Sequence, residues 1–216
     1  MIQDPVRRHA LLFAVIFAVV ALLWLSASLQ AAFVDALEFT KEFAERHPIS
    51  SRLVFVALAG FSAILMFFSS IALVPVAVHA WGEAETFALL MLGWFLGGHL
   101  AYGIGRFLGR RVTEYFVSER ELDRLGNVLS AQMSVFEVAL IKTALPAEAP
   151  SIVLGVLRYP YLKLVPVLLM SELPFALWSV YLGLALVEDR RLLFVLVLLG
   201  GFAALALLAR RVARRF

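Results

Sequence analysis

Residues 135–160, VFEVALIKTALPAEAPSIVLGVLRYP, are apolar enough to lie in a membrane, yet they carry features that a simple membrane span avoids. The stretch contains three charged residues and two prolines, namely Glu137, Lys142, Glu148, Pro146 and Pro150. A proline inside a helix costs roughly 3 kcal/mol, and a charge at the bilayer centre costs roughly 2.5–3.5 kcal/mol. Broken, charged backbone is tolerated at membrane depth only when it is buried in protein or lines a wet cavity. The stretch therefore predicts a re-entrant hairpin on a transport pathway.

The composition of the whole chain is that of a polytopic membrane protein. Of the 216 residues, 62% are hydrophobic, and the mean hydropathy of +0.92 is far above that of a soluble domain. There are no cysteines, which excludes disulfides, thiolate metal sites and a cysteine nucleophile. No Ser-His-Asp arrangement, His-x-x-x-His motif or pair of soluble carboxylates is present. We therefore expect neither an enzyme nor a cofactor or metal. The basic tail over 210–215 is too short for a nucleic-acid site and fits anionic lipid better, so we expect no nucleic-acid partner.

Hydropathy divides the chain into three parts. Four stretches are long and apolar enough to cross a membrane, namely 9–28, 86–109, 161–186 and 191–209. Two stretches, 33–47 and 113–130, are amphipathic. Residues 53–81 are apolar but interrupted, with Pro75 near their end, and they predict a second hairpin. The predicted parts are an N-terminal span and linker over 1–50, a core with both hairpins over 51–186, and a C-terminal span with a basic tail over 187–216.

The placement of arginine predicts the topology, because positive charge accumulates in cytoplasmic loops. Both termini are predicted to be cytoplasmic on the basis of Arg7, Arg8, Arg210, Arg211, Arg214 and Arg215. The loop after residue 105 is equally basic, and it would lie outside if 53–81 crossed the membrane completely. We therefore expect an all-α integral membrane protein with about four transmembrane helices and two opposed re-entrant hairpins in an inverted repeat.

Glycines at helical spacing predict close helix packing next to the hairpins. They are Gly93, Gly97, Gly98 and Gly105. Small residues let membrane helices approach closely, and a hairpin that passes beside this helix would need that space.

Two segments resemble the DedA family, which is also called the SNARE-associated Golgi or VTT-domain family. They are GWFLGGHLAYGIGRFLGRR at 93–111 and GVLRYPYLKLVPVLLMSELPFALWSVYLG at 155–183, and the resemblance covers roughly 55–185. It implies a protein of the bacterial inner membrane that moves undecaprenyl phosphate or a phospholipid, with protons as a candidate coupling ion. Family members usually carry an arginine shortly before the hairpin proline; the nearest basic residue here is Lys142.

The charged residues of the core are the candidate pathway. We expect Lys142 to bind a lipid phosphate, Glu148 to tune that contact or exchange with it, and Glu172 to face Lys142. The alternative is a buried structural ion pair or a lysine that reaches the interface. Glu137 and Arg158 are predicted near the hairpin mouth, with Arg106 at a helix end as a further headgroup contact. The predicted hairpin breaks are Pro75, Pro146, Pro150 and Pro174.

The function that these expectations favour is a membrane lipid translocase, of the flippase or scramblase type, for an anionic lipid. Two alternatives remain open. One is a proton- or ion-coupled transporter of small solutes that uses Glu148 and Glu172. The other is a non-transporting scaffold for an envelope enzyme. A homo-oligomer is compatible with each of these functions.

Overall fold

The chain folds into helices joined by short turns. A computed structural model describes residues 27–64, 70–108, 119–130, 132–144 and 149–215, and these residues contain no strand. Nearly all of the predicted span 9–28 lies outside them, as do Pro146 and Glu148. The all-helical prediction is confirmed for the part of the chain described.

Nine α-helices are described, together with two short helical segments of other types. The α-helices are α1 Ala27–Arg46, α2 Pro48–Ile64, α3 Val74–Trp81, α4 Glu83–Gly103, α5 Glu119–Val128, α6 Val135–Ala144, α7 Ala149–Val156, α8 Tyr161–Val187 and α9 Arg191–Arg215. A 3₁₀ turn, Ser70–Leu73, precedes α3, and a π-helical segment, Ile104–Leu108, extends α4.

Three of these helices are long and apolar enough to cross a membrane. They are Glu83–Leu108, Tyr161–Val187 and Arg191–Leu208, in agreement with three of the four predicted spans. The break predicted at Pro174 is corrected, because α8 continues through both Pro166 and Pro174. A proline removes one hydrogen bond from the helix ladder, and neighbouring helices in a membrane protein can compensate for that loss.

In each of two pairs of short helices, one helix packs against the long helix that belongs to the other half of the core, an arrangement that we call exchanged packing. The first pair is α2 and α3, and the second pair is α6 and α7. The helices α2 and α6 contact the long helix that follows their own pair, whereas α3 contacts α8 and α7 contacts α4. The second residue of α3 is Pro75 and that of α7 is Pro150, where a proline does not interrupt the helix ladder.

Matching glycines make the exchanged contacts possible. Gly105 lies against Ile152 of α7, and Gly183 lies against Val74 and Pro75 of α3. The spacing along the chain from the start of α4 to Gly105 equals the spacing from the start of α8 to Gly183. The two halves of the core therefore have the same spacing between the start of the long helix and the glycine at which a short helix crosses it.

Two clusters of buried side chains each surround one pair of short helices, and α4 and α8 contribute to both; a third, smaller cluster joins α8 to α9. The candidate span within α8 is half buried, whereas only 6% of that within α9 is. Helix α8 is thus the centre of the fold, and α9 packs at its side through contacts with α8 and α6.

Candidate functional site

A lysine and a glutamate from two different helices meet in the apolar interior. Lys142 Nζ of α6 lies 3.4 Å from Glu172 Oε1 of α8. The two residues are only 5% and 3% exposed. The structure therefore brings together two of the predicted pathway residues.

The geometry of this pair is loose for a charged contact. Well-formed hydrogen bonds between ammonium and carboxylate groups are roughly 2.7–2.9 Å long. Burial of two charges is expensive, and their attraction repays the cost only when the geometry is good. The 3.4 Å between Lys142 Nζ and Glu172 Oε1 is longer than that, so this contact repays less of the cost of burial than a short one would.

Elements on both sides of the pair position it. Lys142 is in the last turn of α6, immediately before the predicted hairpin tip. Glu172 lies near the middle of α8, next to the main chain of α4 at Gly98. A Cβ atom at Gly98 would lie 3.2 Å from Glu172 Oε1 and 2.8 Å from Leu168 Cδ2. The missing side chain at Gly98 thus provides the space in which the carboxylate sits.

A second set of polar contacts lies at the turn between α7 and α8. The Tyr102 hydroxyl donates to the carbonyl oxygen of Tyr159 at 2.6 Å, and Arg106 Nη1 donates to the Tyr102 hydroxyl at 3.0 Å. The guanidinium of Arg106 also lies 5.8 Å from the centre of the Tyr102 ring. These contacts anchor an exposed arginine beside the turn that contains Arg158.

Arg158 has an unusual backbone conformation. Its φ of +54° lies in the left-handed region, and its side chain is exposed. The amide of Arg158 donates to Gly155 O and that of Tyr159 donates to Leu154 O, so the residue ends α7 in the manner usually taken by glycine. The chain thus holds an arginine where the backbone favours a residue without a side chain.

Glu137 lies at the opposite end of α6 from Lys142. Its Oε2 accepts hydrogen bonds from the amide and the hydroxyl of Ser134, at 2.9 Å and 2.7 Å, and its own amide donates to the Ser134 hydroxyl. This reciprocal arrangement is a capping box. Glu137 therefore stabilises the start of α6 from an exposed position.

Sequence reasoning missed a polar cluster in the first half of the core, consisting of Ser62, Ser70 and Trp94. Ser62 Oγ lies 2.9 Å from Ser70 Oγ, and Trp94 Nε1 donates to Ser70 Oγ at 3.0 Å. One signal could have revealed it. The spacing from Trp94 to Gly105 along the chain is identical to the spacing from Glu172 to Gly183.

An exposed ion pair, also missed, joins α2 to the start of α4. Arg52 Nε donates to Glu85 Oε1, and the Arg52 guanidinium lies 5.7 Å from the centre of the Trp81 ring. Both side chains are partly exposed, and such pairs contribute little to stability. Its place at the edge of the core indicates a structural contact.

Comparison with known proteins identifies the family. Comparisons with curated proteins and with solved structures give no match. A family model, the VTT domain, matches residues 53–185, a range that covers α3 to α7 completely and most of α2 and α8. The resemblance noted in the sequence is confirmed, and the chain is a membrane protein that belongs to the VTT-domain family, the family of the DedA proteins.

Proposed function

We propose that this protein moves an anionic lipid, a phospholipid or a polyprenyl phosphate such as undecaprenyl phosphate, from one leaflet of the membrane to the other. The observation that carries the proposal is the buried contact between Lys142 and Glu172. Ionisable residues inside a membrane are costly, and they usually mark a pathway.

The depth of the pair supports a pathway that passes through the core. Glu172 lies near the middle of α8, a helix long enough to span the membrane. If α8 spans the bilayer, the carboxylate lies near the midplane. A headgroup that crosses the membrane must pass that level, where a fixed cation would stabilise it most.

Exchange of partners is the step we propose for Lys142. An ammonium group is a compact point charge that suits phosphate oxygens. These oxygens carry negative charge, as does the Glu172 carboxylate that Lys142 contacts in the resting state. A phosphate at Lys142 would separate it from Glu172, and a proton could then neutralise the carboxylate. Protons are for this reason the coupling ion that we propose.

Two pairs of short helices that enter the membrane from opposite sides would complete the pathway. The exchanged packing of α3 on α8 and of α7 on α4 supports such an inverted repeat. The headgroup would pass between the two pairs while the acyl or prenyl chains stay in the bilayer. We place the protein in the bacterial inner membrane with cytoplasmic termini, in accordance with its distribution of arginine.

Lipid movement in proteoliposomes tests the proposal. The purified chain is reconstituted with fluorescent phosphatidylglycerol, phosphatidylcholine or a labelled polyprenyl phosphate, and access from outside is followed with a membrane-impermeant quencher. We expect faster movement of the two anionic lipids than of the zwitterionic one. Protein-free vesicles and vesicles with heat-unfolded protein are the controls.

The same vesicles separate the other function classes. Proton or ion flux without movement of any lipid, from protein shown to be folded, would contradict the proposal and favour an ion-coupled solute transporter. Absence of both lipid movement and ion flux would favour a scaffold, because a scaffold requires no pathway.

A further inference from the structure

The cluster of Ser62, Ser70 and Trp94, here called the hydroxyl cluster, connects three elements of the first half of the core. Ser62 lies in the last turn of α2, Ser70 opens the 3₁₀ turn before α3, and Trp94 lies in the middle of α4. Ser62 Oγ also lies 2.7 Å from the carbonyl oxygen of Ala59. All of these groups are uncharged hydrogen-bonding groups in an otherwise apolar region.

The hydroxyl cluster takes the place in the first half that the ion pair takes in the second. Trp94 and Glu172 precede the crossing glycines of their helices by the same distance along the chain. Glu172 contacts Lys142 in the last turn of the first short helix of its pair, and Trp94 is linked through Ser70 to Ser62, which lies in the last turn of α2. One half of the core thus presents a charge where the other presents neutral hydroxyl and indole groups.

The two polar groups are also neighbours along α4. Trp94 and Gly98 are separated by about one helical turn, which puts them on one face of the helix with a rise of about 6 Å between them. Glu172 Oε1 lies next to Gly98. The positions at which the two polar groups contact α4 are therefore about one helical turn apart.

We propose that the hydroxyl cluster is a second subsite of the lipid pathway, which binds an uncharged oxygen of the headgroup while Lys142 binds the phosphate. This inference rests on the proposed function and adds the chemistry of the substrate to it. An indole N–H only donates, whereas a serine hydroxyl both donates and accepts. Such a set fits a headgroup that carries hydroxyl groups beside its phosphate.

The energies suit a site through which a lipid passes. Each neutral hydrogen bond contributes about 0.5–1.5 kcal/mol net, so a headgroup hydroxyl can replace one partner of the cluster at little cost. Serine hydroxyls turn freely about their Cβ–Oγ bonds and can redirect their protons towards a ligand. The competing interpretation is a purely structural role, in which the cluster holds the first pair of short helices to α4.

A substrate comparison separates the two interpretations. Phosphatidylglycerol and phosphatidylmethanol with identical acyl chains both carry one negative charge, but only the first has headgroup hydroxyls. Their movement is measured in proteoliposomes for the wild type, Trp94→Phe and Ser70→Ala. Trp178→Phe is the matched control, because Trp178 Nε1 donates to Val197 O at 2.9 Å between α8 and α9, away from the cluster.

Loss of one neutral hydrogen bond corresponds to roughly a 2- to 10-fold change. We expect Trp94→Phe to slow the movement of phosphatidylglycerol by that factor and to leave the rate of phosphatidylmethanol movement unchanged. Ser70→Ala should change the ratio of the two rates in the same direction. Trp178→Phe should leave the ratio of the two rates at its wild-type value. Equal slowing of both lipids by Trp94→Phe would overturn the subsite in favour of the structural role, and an unchanged ratio with unchanged rates would overturn it as well.

A binding measurement distinguishes failure of this inference from failure of the proposed function. The rise in unfolding temperature that each lipid produces is measured in detergent for the wild type and Trp94→Phe. The wild type should be stabilised more by phosphatidylglycerol than by phosphatidylmethanol, and Trp94→Phe should lose that difference. Movement of both lipids by the wild type at equal rates with equal stabilisation would refute the subsite alone. Movement of neither phospholipid and no movement of the labelled polyprenyl phosphate would refute lipid translocation itself.

Discussion

Gly105 and Gly155 pack against each other's helix with their main chains in direct contact. A Cβ atom at Gly105 would lie 2.0 Å from the carbonyl oxygen of Ile152, and one at Gly155 would lie 2.1 Å from the carbonyl oxygen of Tyr102. Neither backbone oxygen can move away without a shift of its whole helix. This crossing holds α7 on α4 and thereby sets the position of the second pair of short helices.

Replacement of either glycine by alanine should prevent this crossing. We expect Gly105→Ala and Gly155→Ala to lower the unfolding temperature sharply or to abolish folding, because overpacking typically costs about 1–3 kcal/mol and here involves backbone. Gly200→Ala is the matched control, since a Cβ there meets nothing within 4 Å. That variant should be at least as stable as the wild type. Normal stability of both crossing variants in thermal unfolding would show that the helices are farther apart.

Removal of one charge from the buried pair should destabilise the protein more than removal of both. Lys142→Met or Glu172→Leu alone removes one partner of a buried ion pair, which costs roughly 3–5 kcal/mol, whereas apolar replacement of both partners is often neutral. We therefore expect the double variant to regain much of the stability that either single variant loses. It should not regain lipid movement, because the cation is absent. A double variant that moves lipid at the wild-type rate would reduce the pair to a structural contact.

The hydrogen bond from Tyr102 to Tyr159 should stabilise the turn between α7 and α8. Tyr102→Phe removes the donor and leaves a buried carbonyl without it, at a cost of about 1–3 kcal/mol. Tyr181→Phe is the control, because Tyr181 is half exposed. Thermal unfolding should rank Tyr102→Phe well below the control. Equal stability of the two variants would contradict the anchoring role assigned to Tyr102.

The left-handed backbone of Arg158 allows its charge and its conformation to be separated. Glycine adopts this conformation without the penalty of roughly 1–2 kcal/mol that other residues pay. We expect Arg158→Gly to be more stable than Arg158→Ala, although both remove the same charge. If the arginine contacts a headgroup, both variants should slow lipid movement equally. A stability order with alanine above glycine would refute the strain, and undiminished movement in both variants would exclude Arg158 from the pathway.

Much of the fold follows from local features of the sequence. Hydropathy locates the long helices over 86–109, 161–186 and 191–209, because an apolar run of this length has few alternatives to a helix in a membrane. Pro174 shows where such reasoning fails. A proline breaks an isolated helix, but contacts between helices decide whether the chain continues through it, and those contacts are not local.

The charged residues of the candidate site could be predicted from the sequence, whereas the hydroxyl cluster was not. Lys142 and Glu172 are conspicuous because charge in an apolar stretch demands a reason, and the structure places them in contact. Ser62, Ser70 and Trp94 carry no charge, and the only signal for them in the sequence is that Trp94 and Glu172 lie equally far from Gly105 and Gly183. Only the packing of α2 and the 3₁₀ turn against α4 brings them together.

The charge on residue 142 is the element on which lipid translocation depends most directly. The decisive measurement is the rate of phosphatidylglycerol movement in proteoliposomes for the wild type, Lys142→Arg and Lys142→Met, each shown to be folded. A charged hydrogen bond contributes about 1.5–3 kcal/mol, so Lys142→Met should be slower by roughly tenfold or more, while Lys142→Arg keeps the cation and most of the rate. Movement by Lys142→Met at the wild-type rate would contradict a role for this lysine in carrying the headgroup across the membrane.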